Sequence, residues 1–373
     1  MRSQIAKAVI GAGYGDEGKG LLTDYVSSST TSAIVVRSNG GAQAGHTVVA
    51  PDGRRHVFHH VGSGTFSGAP THLSRFFVAH PMMLLAELQA LWGLAVQPVI
   101  TSDPRAIVTT PFDMMINQAL ELSRGDGRHG SCGLGFGEAI ERSLRPDFLI
   151  RTGDLFHPGL ARRLWRVWSE WLPERLVSIL DAIDPGEIIA RFMLDCEAYL
   201  DHVALFADRR LGAKGQVVFE GAQGLMLDQD FGAFPHVTRS NTGLRNMLEI
   251  VHEADIAEID AIYVTRCYAT RHGAGPLPGA IDRISGIEVD DPTNVANRWQ
   301  GTMRIAPLDT ALLRTAISRD LAAAEKTAIG VRASLAVTCL DQAVGEFHIV
   351  DGDIETGVGS GNAAREIADR VGM

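Results

Sequence analysis

The sequence has little of what marks several classes of protein. Its 373 residues include only four cysteines (Cys132, Cys196, Cys267 and Cys339), none in a CxxC pair, which argues against a disulfide framework or a zinc site. There are 34 Lys and Arg against 44 Asp and Glu, a formal net charge of -10, and no basic run, so no nucleic-acid partner is expected. No apolar stretch approaches the length of a membrane span, and the start, MRSQIAKAVIGAG, shows no signal-peptide pattern. We therefore expect a cytoplasmic protein without a membrane partner.

What the sequence does contain is an alternation of apolar strands and helical segments. The strand candidates are AKAVIGAG, SAIVVRSNGG, QPVITS, GQVVFEGAQG, AIYVTRCYAT and SLAVTCL, and the helical stretches lie around 81 to 93, 112 to 123, 243 to 254 and 308 to 320. Such alternation predicts an α/β fold with a mainly parallel central sheet flanked by helices.

One region departs from this alternation. Between residues 157 and 211, apolar positions such as Leu164, Trp168 and Trp171 recur at helical spacing without a strand signal. We expect a helical insertion in a single α/β domain that spans 1–373, and we expect its tryptophans to pack in a core or interface rather than to form a cofactor site.

The segment GAGYGDEGKG, residues 11 to 20, matches two phosphate-binding patterns incompletely. A dinucleotide fingerprint also needs a carboxylate at the end of the second strand, and AIVVR provides Arg37 there instead. A P-loop needs Ser or Thr after Lys19, and Gly20 occupies that position. An NAD-dependent dehydrogenase is therefore disfavoured.

The glycine loop still has the chemistry of a phosphate site. Glycines allow backbone N–H groups to converge on an anion, the following helix adds its positive end, and Lys19 adds a charge. Asp16 and Glu17 would repel a phosphate unless one of them binds a metal or moves a proton, although Asp16 could instead cap the helix that starts near Gly18. In the next glycine-rich segment, NGGAQAGHTVV, an imidazole at His46 could act on a transferring phosphoryl group.

Taken together, several motifs resemble those of the adenylosuccinate synthetase family. They are GDEGKG at 15–20, AGHT at 44–47, VFEGAQGLMLDQDFGAFPHVTRSNT at 218–242, YATRHGAGPLP at 268–278, PLDTALLR at 307–314 and LAVTCLD at 335–341. They occur in the family's order over nearly the whole chain. The resemblance implies a P-loop-like synthetase fold and a homodimeric carbon–nitrogen ligase of purine biosynthesis. Such a ligase uses GTP and Mg²⁺ to phosphorylate the 6-oxygen of IMP and then joins L-aspartate to C6.

The resemblance also implies roles for individual residues. Asp16 would take the N1 proton of the purine and bind Mg²⁺ together with the carbonyl of Gly45, while His46 and Lys19 would stabilise the transferring phosphoryl group. Asp341 would pair with the guanine edge of GTP. The nucleotide and phosphate contacts implied are Gly15, Glu17, Gly18, Gly20, Gly45, Thr47, Asp341, Gly357 and Ser360. The purine-substrate contacts implied are Gln43, Ser131, Cys132, Arg145, Gln223 and Thr238.

Four departures leave the substrates open. Gln43 replaces an asparagine, Ser131 and Cys132 replace a threonine pair, and Cys339 replaces a lysine beside the guanine, which puts the choice between GTP and another NTP in doubt. The family's consecutive arginines, which clamp the carboxylates of aspartate, are absent from NRWQGTMRIAPLD. The candidates that remain for the amino acid are Arg298, Thr302 and Arg304.

The alternatives are therefore a paralogue that uses another amine, another NTP, or dGMP, GMP or dIMP as the purine nucleotide. Relatives that act on a guanine nucleotide replace the loop aspartate, so Asp16 favours a hypoxanthine. A regulatory nucleotide-binding protein without turnover is disfavoured, because binding alone needs no proton acceptor. The basic residue that crosses to the partner's substrate in the family would be Arg145 rather than Arg142.

Overall fold

The fold is described from a computed structural model that covers residues 4–127, 129–176, 184–213, 215–291, 294 and 301–373. The strands in these ranges are β1 Ile5–Gly11, β2 Ala33–Arg37, β3 His46–Val49, β4 Arg55–Phe58, β5 Thr71–Leu73, β6 Val78–Ala79, β7 Ile100–Ser102, β8 Ile107–Val108, β9 Val203–Leu205, β10 Gln216–Glu220, β11 Glu258–Arg266, β12 Tyr268–Arg271, β13 Arg304–Asp309, β14 Gly330–Thr338, β15 Glu346–Asp351 and β16 Ile354–Gly359. The helices are α1 Lys19–Ser28, α2 Pro81–Gly93, α3 Pro111–Ser123, α4 Phe136–Ser143, α5 Leu160–Arg166, α6 Leu172–Arg175, α7 Pro185–His202, α8 Leu244–Glu253, α9 Thr310–Leu321 and α10 Ala363–Val371.

The central sheet confirms the predicted architecture. In the described residues it has eight strands in the order β14-β11-β1-β10-β2-β5-β7-β9, and every neighbouring pair is parallel. All five residues of β2 are buried, as expected for a strand covered by helices on both faces. The four helices predicted from periodicity correspond to α2, α3, α8 and α9.

A smaller sheet was not predicted. Its order is β12-β13-β15-β16, with β13 and β15 parallel and the outer pairs antiparallel. The segment AIYVTRCYAT had been interpreted as one strand, but Arg266 is the last residue of β11 and β12 begins at Tyr268. The backbone N–H of the intervening Cys267 donates to the carbonyl of Thr338, and this contact marks the point where the chain leaves the central sheet.

The predicted helical insertion is helical in its described residues as far as α7. Leu164 and Trp171 are buried in the core, which confirms the packing role expected for the apolar stripe. The prediction was wrong after His202, where β9 pairs with β7 and forms an edge of the central sheet. A strand of three residues is too short to show a period-two pattern.

Two large apolar cores flank the central sheet. One packs β1, β10 and β11 against α8, α9 and α10, and the other packs α2, α3, α5 and α7 together. No helix in the described residues has the length and apolar character needed to span a membrane. Because the central strands are parallel, the loops after β14, β11, β1, β10 and β2 leave neighbouring strands at one edge of the sheet, where ligands bind in folds of this type.

Candidate active site

The glycine loop after β1 is held together by the carboxylate of Glu17. Its Oε1 accepts hydrogen bonds from the backbone N–H groups of Gly13 (3.0 Å) and Gly15 (2.8 Å), and its Oε2 pairs with Lys19 Nζ at 2.5 Å. Glu17 and Lys19 are both 3% exposed. Glu17 thus satisfies N–H groups that were expected to face a phosphate, so its contribution is to order the loop.

Gly20 is explained by close packing. A Cβ at this position would lie 2.8 Å from His46 Cβ and 3.1 Å from Ser63 Oγ. The Ser or Thr of a P-loop is therefore excluded by the approach of His46. Helix α1 begins at Lys19, and its N-cap is Gly18 with φ 91° and no side-chain cap, so the alternative of Asp16 as a helix cap was wrong.

In the central sheet, the strands β1, β10 and β14 are each followed by a non-glycine residue in the left-handed region. These are Asp16 after β1 (φ 62°), Gln223 after β10 (φ 58°) and Cys339 after β14 (φ 58°). Such backbone strain persists only where the surroundings enforce it, and it is concentrated at functional sites. Three residues with such strain thus lie at the edge of the sheet that the motifs indicate.

Asp16 occupies the centre of this edge. Its side chain is 31% exposed, and its Oδ2 lies 3.4 Å from His272 Nε2. Burial raises the pKa of Asp16 above its ordinary value, and the nearby His272 and Lys19 oppose that rise. Its backbone carbonyl accepts a hydrogen bond of 2.6 Å from Arg266 Nε, which fixes the loop to the end of β11.

His46 is oriented by a buried carboxylate. Its Nδ1 lies 2.6 Å from Glu220 Oε1, an arrangement in which Nδ1–H donates and Nε2 remains for other contacts. Glu220 also accepts from the N–H (3.1 Å) and Oγ of Ser63 and pairs with Arg37 at 3.3 Å. Burial lowers the pKa of His46 to about 4, while Arg37 and His46 lower the pKa of Glu220 to about 2 against the effect of its burial. Glu220 is therefore a carboxylate beside the imidazole, placed to orient it and to offset a positive charge on it.

On the β2 and β10 side of Asp16, two glutamines have buried polar atoms that lack a partner among the described residues. They are both amide atoms of Gln43 and Oε1 of Gln223. Gln223 directly adjoins the glycine loop, since its Cα lies 3.9 Å from the position of a Cβ on Gly15. A buried amide without a partner is costly, and a ligand can satisfy it.

The loop at 129–135 lies on the same side. Ser131 Oγ donates to Asn117 Oδ1 (2.9 Å) and accepts from the N–H of Gly133 (3.3 Å), so this hydroxyl orders the turn. Burial raises the pKa of the Cys132 thiol. Thr238 is half-buried, and its N–H donates to the carbonyl of Leu227 at 2.8 Å.

On the β14 side, Thr338 attaches the strand end to the glycine loop by donating from Oγ1 to the carbonyl of Glu17 at 2.8 Å. Asp341 follows in the short turn Leu340–Gln342 and is exposed. The N–H of Ser360 donates to the carbonyl of Gly345 at 2.8 Å, so the turn after β16 adjoins the segment that carries Asp341. Gly357 lies in β16 itself.

The residues predicted to bind the amino acid are described only in part. Arg298 lies outside the described residues, and Thr302 is exposed. Arg304 Nη2 donates to the carbonyls of Gly273 and Gly275, both at 2.8 Å. That nitrogen holds the loop after β12.

Two arginines are candidates for a contact with the substrate of a partner subunit. Arg145 has an exposed guanidinium 3.3 Å from Glu174. Arg142 is fully buried on Asp113 and therefore has no route to another subunit.

The donor set next to the loop suits a small hard cation. The groups expected to bind magnesium are the partly exposed carboxylate of Asp16 and the carbonyl of Gly45, which is an exposed residue. Thr47, also expected to contact the nucleotide, lies two residues later in β3. The described residues contain no group of three or more His, Cys, Asp or Glu that could hold a metal. Mg²⁺ commonly takes one or two protein oxygens and completes its shell with substrate phosphates and water, so these residues fit it.

Several residues of this site were missed from the sequence. Glu220 lies in the EGAQG segment and His272 in RHGAGP, but each acts on a partner far away in the chain. The contact of Glu220 with His46 spans 174 positions, and that of Arg266 with Asp16 spans 250. The available signal was a charged side chain at the carboxyl end of a buried strand.

A model of the adenylosuccinate synthetase family matches residues 8–326. The chain is 35% identical over 289 residues to adenylosuccinate synthetase of Acaryochloris marina, an alignment that covers 75% of this chain and 63% of that enzyme. It is 30% identical over 323 residues to adenylosuccinate synthetase of Halothermothrix orenii, an alignment that covers 83% of this chain and 74% of that enzyme.

Two solved structures have the same fold at low sequence identity. Fully ligated adenylosuccinate synthetase from Plasmodium falciparum matches with a TM-score of 0.76 and 17% identity over 99% of this chain and 95% of that one. Cyanophage S-2L succinoaminodeoxyadenylate synthetase, bound to dGMP and to dATP as an energy donor, matches with a TM-score of 0.64 and 18% identity. That match covers 100% of this chain and 90% of the cyanophage chain. With the family model covering most of the sequence, this chain belongs to the adenylosuccinate synthetase family.

Proposed function

We propose that this protein is a GTP-dependent ligase that phosphorylates the 6-oxygen of IMP and joins L-aspartate to C6, releasing GDP and phosphate. The observation that carries the proposal is the position of the glycine loop. Thr338 attaches it to the end of β14, which leads to Asp341, while Gln223 at the end of β10 adjoins it on the other side.

This position suits transfer between two nucleotides. Neighbouring strands in a sheet are spaced about 4.8 Å apart, so β14 and β2 each lie about 10 Å from β1, on opposite sides. A guanine held by Asp341 and a purine held by Gln43 and Gln223 would then extend towards each other and meet at Asp16 and Lys19. Transfer requires the donor phosphate and the acceptor oxygen to meet in line.

The chain's own groups supply the remaining chemistry. Asp16, with a pKa raised by burial, is a stronger base than an exposed aspartate and takes the N1 proton as the 6-oxygen becomes nucleophilic. Lys19 stabilises charge on the phosphoryl group, and so does His46 when its Nε2 carries a proton, because Glu220 holds the imidazole in place and offsets its positive charge. Asp16 and the Gly45 carbonyl would hold Mg²⁺, which when bound neutralises charge on the phosphates.

A second candidate is a paralogue with the same phosphoryl chemistry and a different amine or purine nucleotide. It is supported by Arg304, whose Nη2 is bound to two backbone carbonyls, and by the absence of the family's consecutive arginines. The cyanophage enzyme of the same fold, solved with dGMP and dATP, is a further reason to test other nucleotides and donors.

The test is phosphate release by the purified protein with Mg²⁺ and either GTP or ATP. IMP, dIMP, GMP and dGMP are each supplied with and without aspartate, and products are identified by mass. The proposal expects release that requires both IMP and aspartate, together with an adduct of the mass of adenylosuccinate. Turnover with another nucleotide, or only after aspartate is replaced by another amine, supports the paralogue. No turnover in any combination contradicts both.

The proposal includes a homodimer in which Arg145 reaches the partner's purine nucleotide. The exposed guanidinium of Arg145 is compatible with that contact. Light scattering measures the mass of the assembly in solution. A monomeric mass at a protein concentration that gives full activity would contradict the homodimer.

A further inference from the structure

His272 lies against the carboxylate of Asp16. It follows β12 directly, is 16% exposed, and places Nε2 3.4 Å from Asp16 Oδ2. In the described residues no other side chain donates a hydrogen bond to, or forms an ion pair with, the Asp16 carboxylate. His272 is therefore the described side chain in position to orient this carboxylate.

The loop that carries His272 is held on both sides. Arg304 donates to the carbonyls of Gly273 and Gly275, and a Cβ on Gly130 would lie 3.1 Å from the N of Ala274. The imidazole is thus placed between the glycine loop and the 129–135 loop, on the side proposed to hold the purine.

The ring has one described acceptor besides Asp16. Nε2 lies 2.8 Å from Asn294 Oδ1, and Asn294 Nδ2 in turn donates to Asp291 Oδ2 at 2.6 Å. Nδ1 is buried without a partner among the described residues. The Nε2 proton therefore faces two acceptors, and the hydrogen-bonded one is Asn294, the nearer. Donation to Asp16 requires the ring to turn away from Asn294.

We infer that His272 is a positioning residue for Asp16: its Nε2–H donates to Oδ2 and thereby turns the other carboxylate oxygen toward the purine nucleotide. The inference rests on the proposed function, since it assigns Asp16 the role of base. It requires only an N–H donor at this position. A hydrogen bond to a charged group that is needed for correct geometry is expected to affect turnover by about 10- to 100-fold.

The test compares His272→Leu with His272→Gln, whose amide nitrogen can occupy the place of Nε2. Steady-state kinetics are measured with the purine nucleotide and amine that support wild-type turnover. His272→Leu is expected to lower kcat about 10- to 100-fold with the KM for GTP unchanged, and His272→Gln is expected to recover most of that loss. His202→Leu is the matched control, because His202 is exposed at the end of α7 and has no part in the site.

Two further measurements separate other roles. Asn294→Ala removes the competing acceptor, and it should keep the wild-type kcat if His272 acts through Asp16. Thermal unfolding of each variant reports folding. The inference is overturned if His272→Leu keeps the wild-type kcat, if Leu and Gln lose activity equally, or if Asn294→Ala reproduces the loss. It is also overturned if only the KM for the purine nucleotide rises, which would indicate a direct substrate contact. A wild-type protein without turnover in any combination contradicts the proposed function itself.

Discussion

Two arginine–carboxylate pairs are fully buried in different parts of the molecule, and their hydrogen bonding differs. Arg142 on α4 uses its whole guanidinium, since Nε and Nη2 donate to Asp113, Nη2 also donates to the carbonyl of Val108, and Nη1 donates to that of Phe148. Arg37 at the end of β2 contacts Glu220 through Nη1, but its Nε and Nη2 have no partner among the described residues.

The difference separates structural from functional burial. A buried charge is tolerated when its hydrogen-bonding capacity is filled, as it is around Arg142. The pair of Arg37 and Glu220 instead retains unfilled donors and contributes a carboxylate to His46, which adjoins the glycine loop. Of these two pairs, the one with unfilled donors is therefore the one at the functional edge.

The most severe change on the functional side is Asp16→Asn. It should lower turnover by about 10²- to 10⁴-fold, because a general base is lost. The free energy of unfolding should not fall, because the carboxylate removed is partly desolvated and has only a distant partner. Kinetics and urea unfolding of the same preparation check both parts, and a variant that retains wild-type turnover would remove Asp16 from the mechanism.

On the structural side, Asp113→Asn should act on stability instead. It leaves the buried Arg142 without its counter-charge, which typically costs about 3–5 kcal/mol. Turnover per folded molecule should remain close to that of the wild type. Urea unfolding measures the first effect, and kcat corrected for the folded fraction measures the second. A large fall in corrected kcat would show that this pair also serves the site.

Glu220→Gln tests the functional pair directly. His46 would lose the carboxylate that orients it, and kcat corrected for the folded fraction should fall by about 10- to 100-fold. If Glu220→Gln and Asp113→Asn changed corrected kcat equally, the distinction between the two pairs would fail.

His80→Leu sharpens the comparison through pH. His80 precedes α2, beside the core that packs α2, α3, α5 and α7 together, and burial lowers its pKa to about 3, with a smaller contribution from the neighbouring His60. Because the pKa is lower in the folded state, the unfolded chain binds the extra proton between pH 6.5 and 3. As the pH falls through this range, the free energy of unfolding of the wild type should therefore decrease by about 1.4 kcal/mol per pH unit from His80 alone.

In His80→Leu, this contribution to the pH dependence of the free energy of unfolding should be absent. Urea unfolding at a series of pH values measures it, and equal slopes for the two proteins would show that His80 is not buried uncharged.

The smallest effect is expected at Arg145→Ala. The pair with Glu174 is exposed, so stability should change by less than about 1 kcal/mol. If Arg145 reaches the substrate of a partner subunit, the KM for the purine nucleotide should rise while the KM for GTP stays constant. An unchanged KM for both would make Arg145 a surface residue.

The sequence identified the elements whose hydrophobic pattern is visible within one continuous segment. β1, β2 and β10 were predicted because strands covered on both faces appear as continuous apolar runs. The apolar run SLAVTCL also predicted β14, although that strand lies at the edge of the sheet and none of its residues is buried. Strands of two or three residues, such as β9, carry no period. The change of sheet at Cys267 depends on a hydrogen bond to Thr338, 71 positions later in the chain, which no local pattern encodes.

For the site, the sequence identified the residues that stand in short motifs. Asp16, Lys19 and His46 were found in this way, whereas Glu220 and His272 act on partners brought close only by strand order. Glu17 shows the opposite limit, since its motif was recognised but its contacts with Gly13 and Gly15 were not. A motif predicts that a loop binds an anion but not that one of its own carboxylates fills part of the loop.

That internal carboxylate has a consequence for the speed of encounter. Since Glu17 already bonds the N–H groups of Gly13 and Gly15 and the ammonium of Lys19, the loop keeps its shape before any nucleotide arrives. A loop folded in advance adds no rearrangement step to association. Capture of a nucleotide by this part of the protein is therefore expected to depend on diffusion and on the local electric field rather than on loop closure.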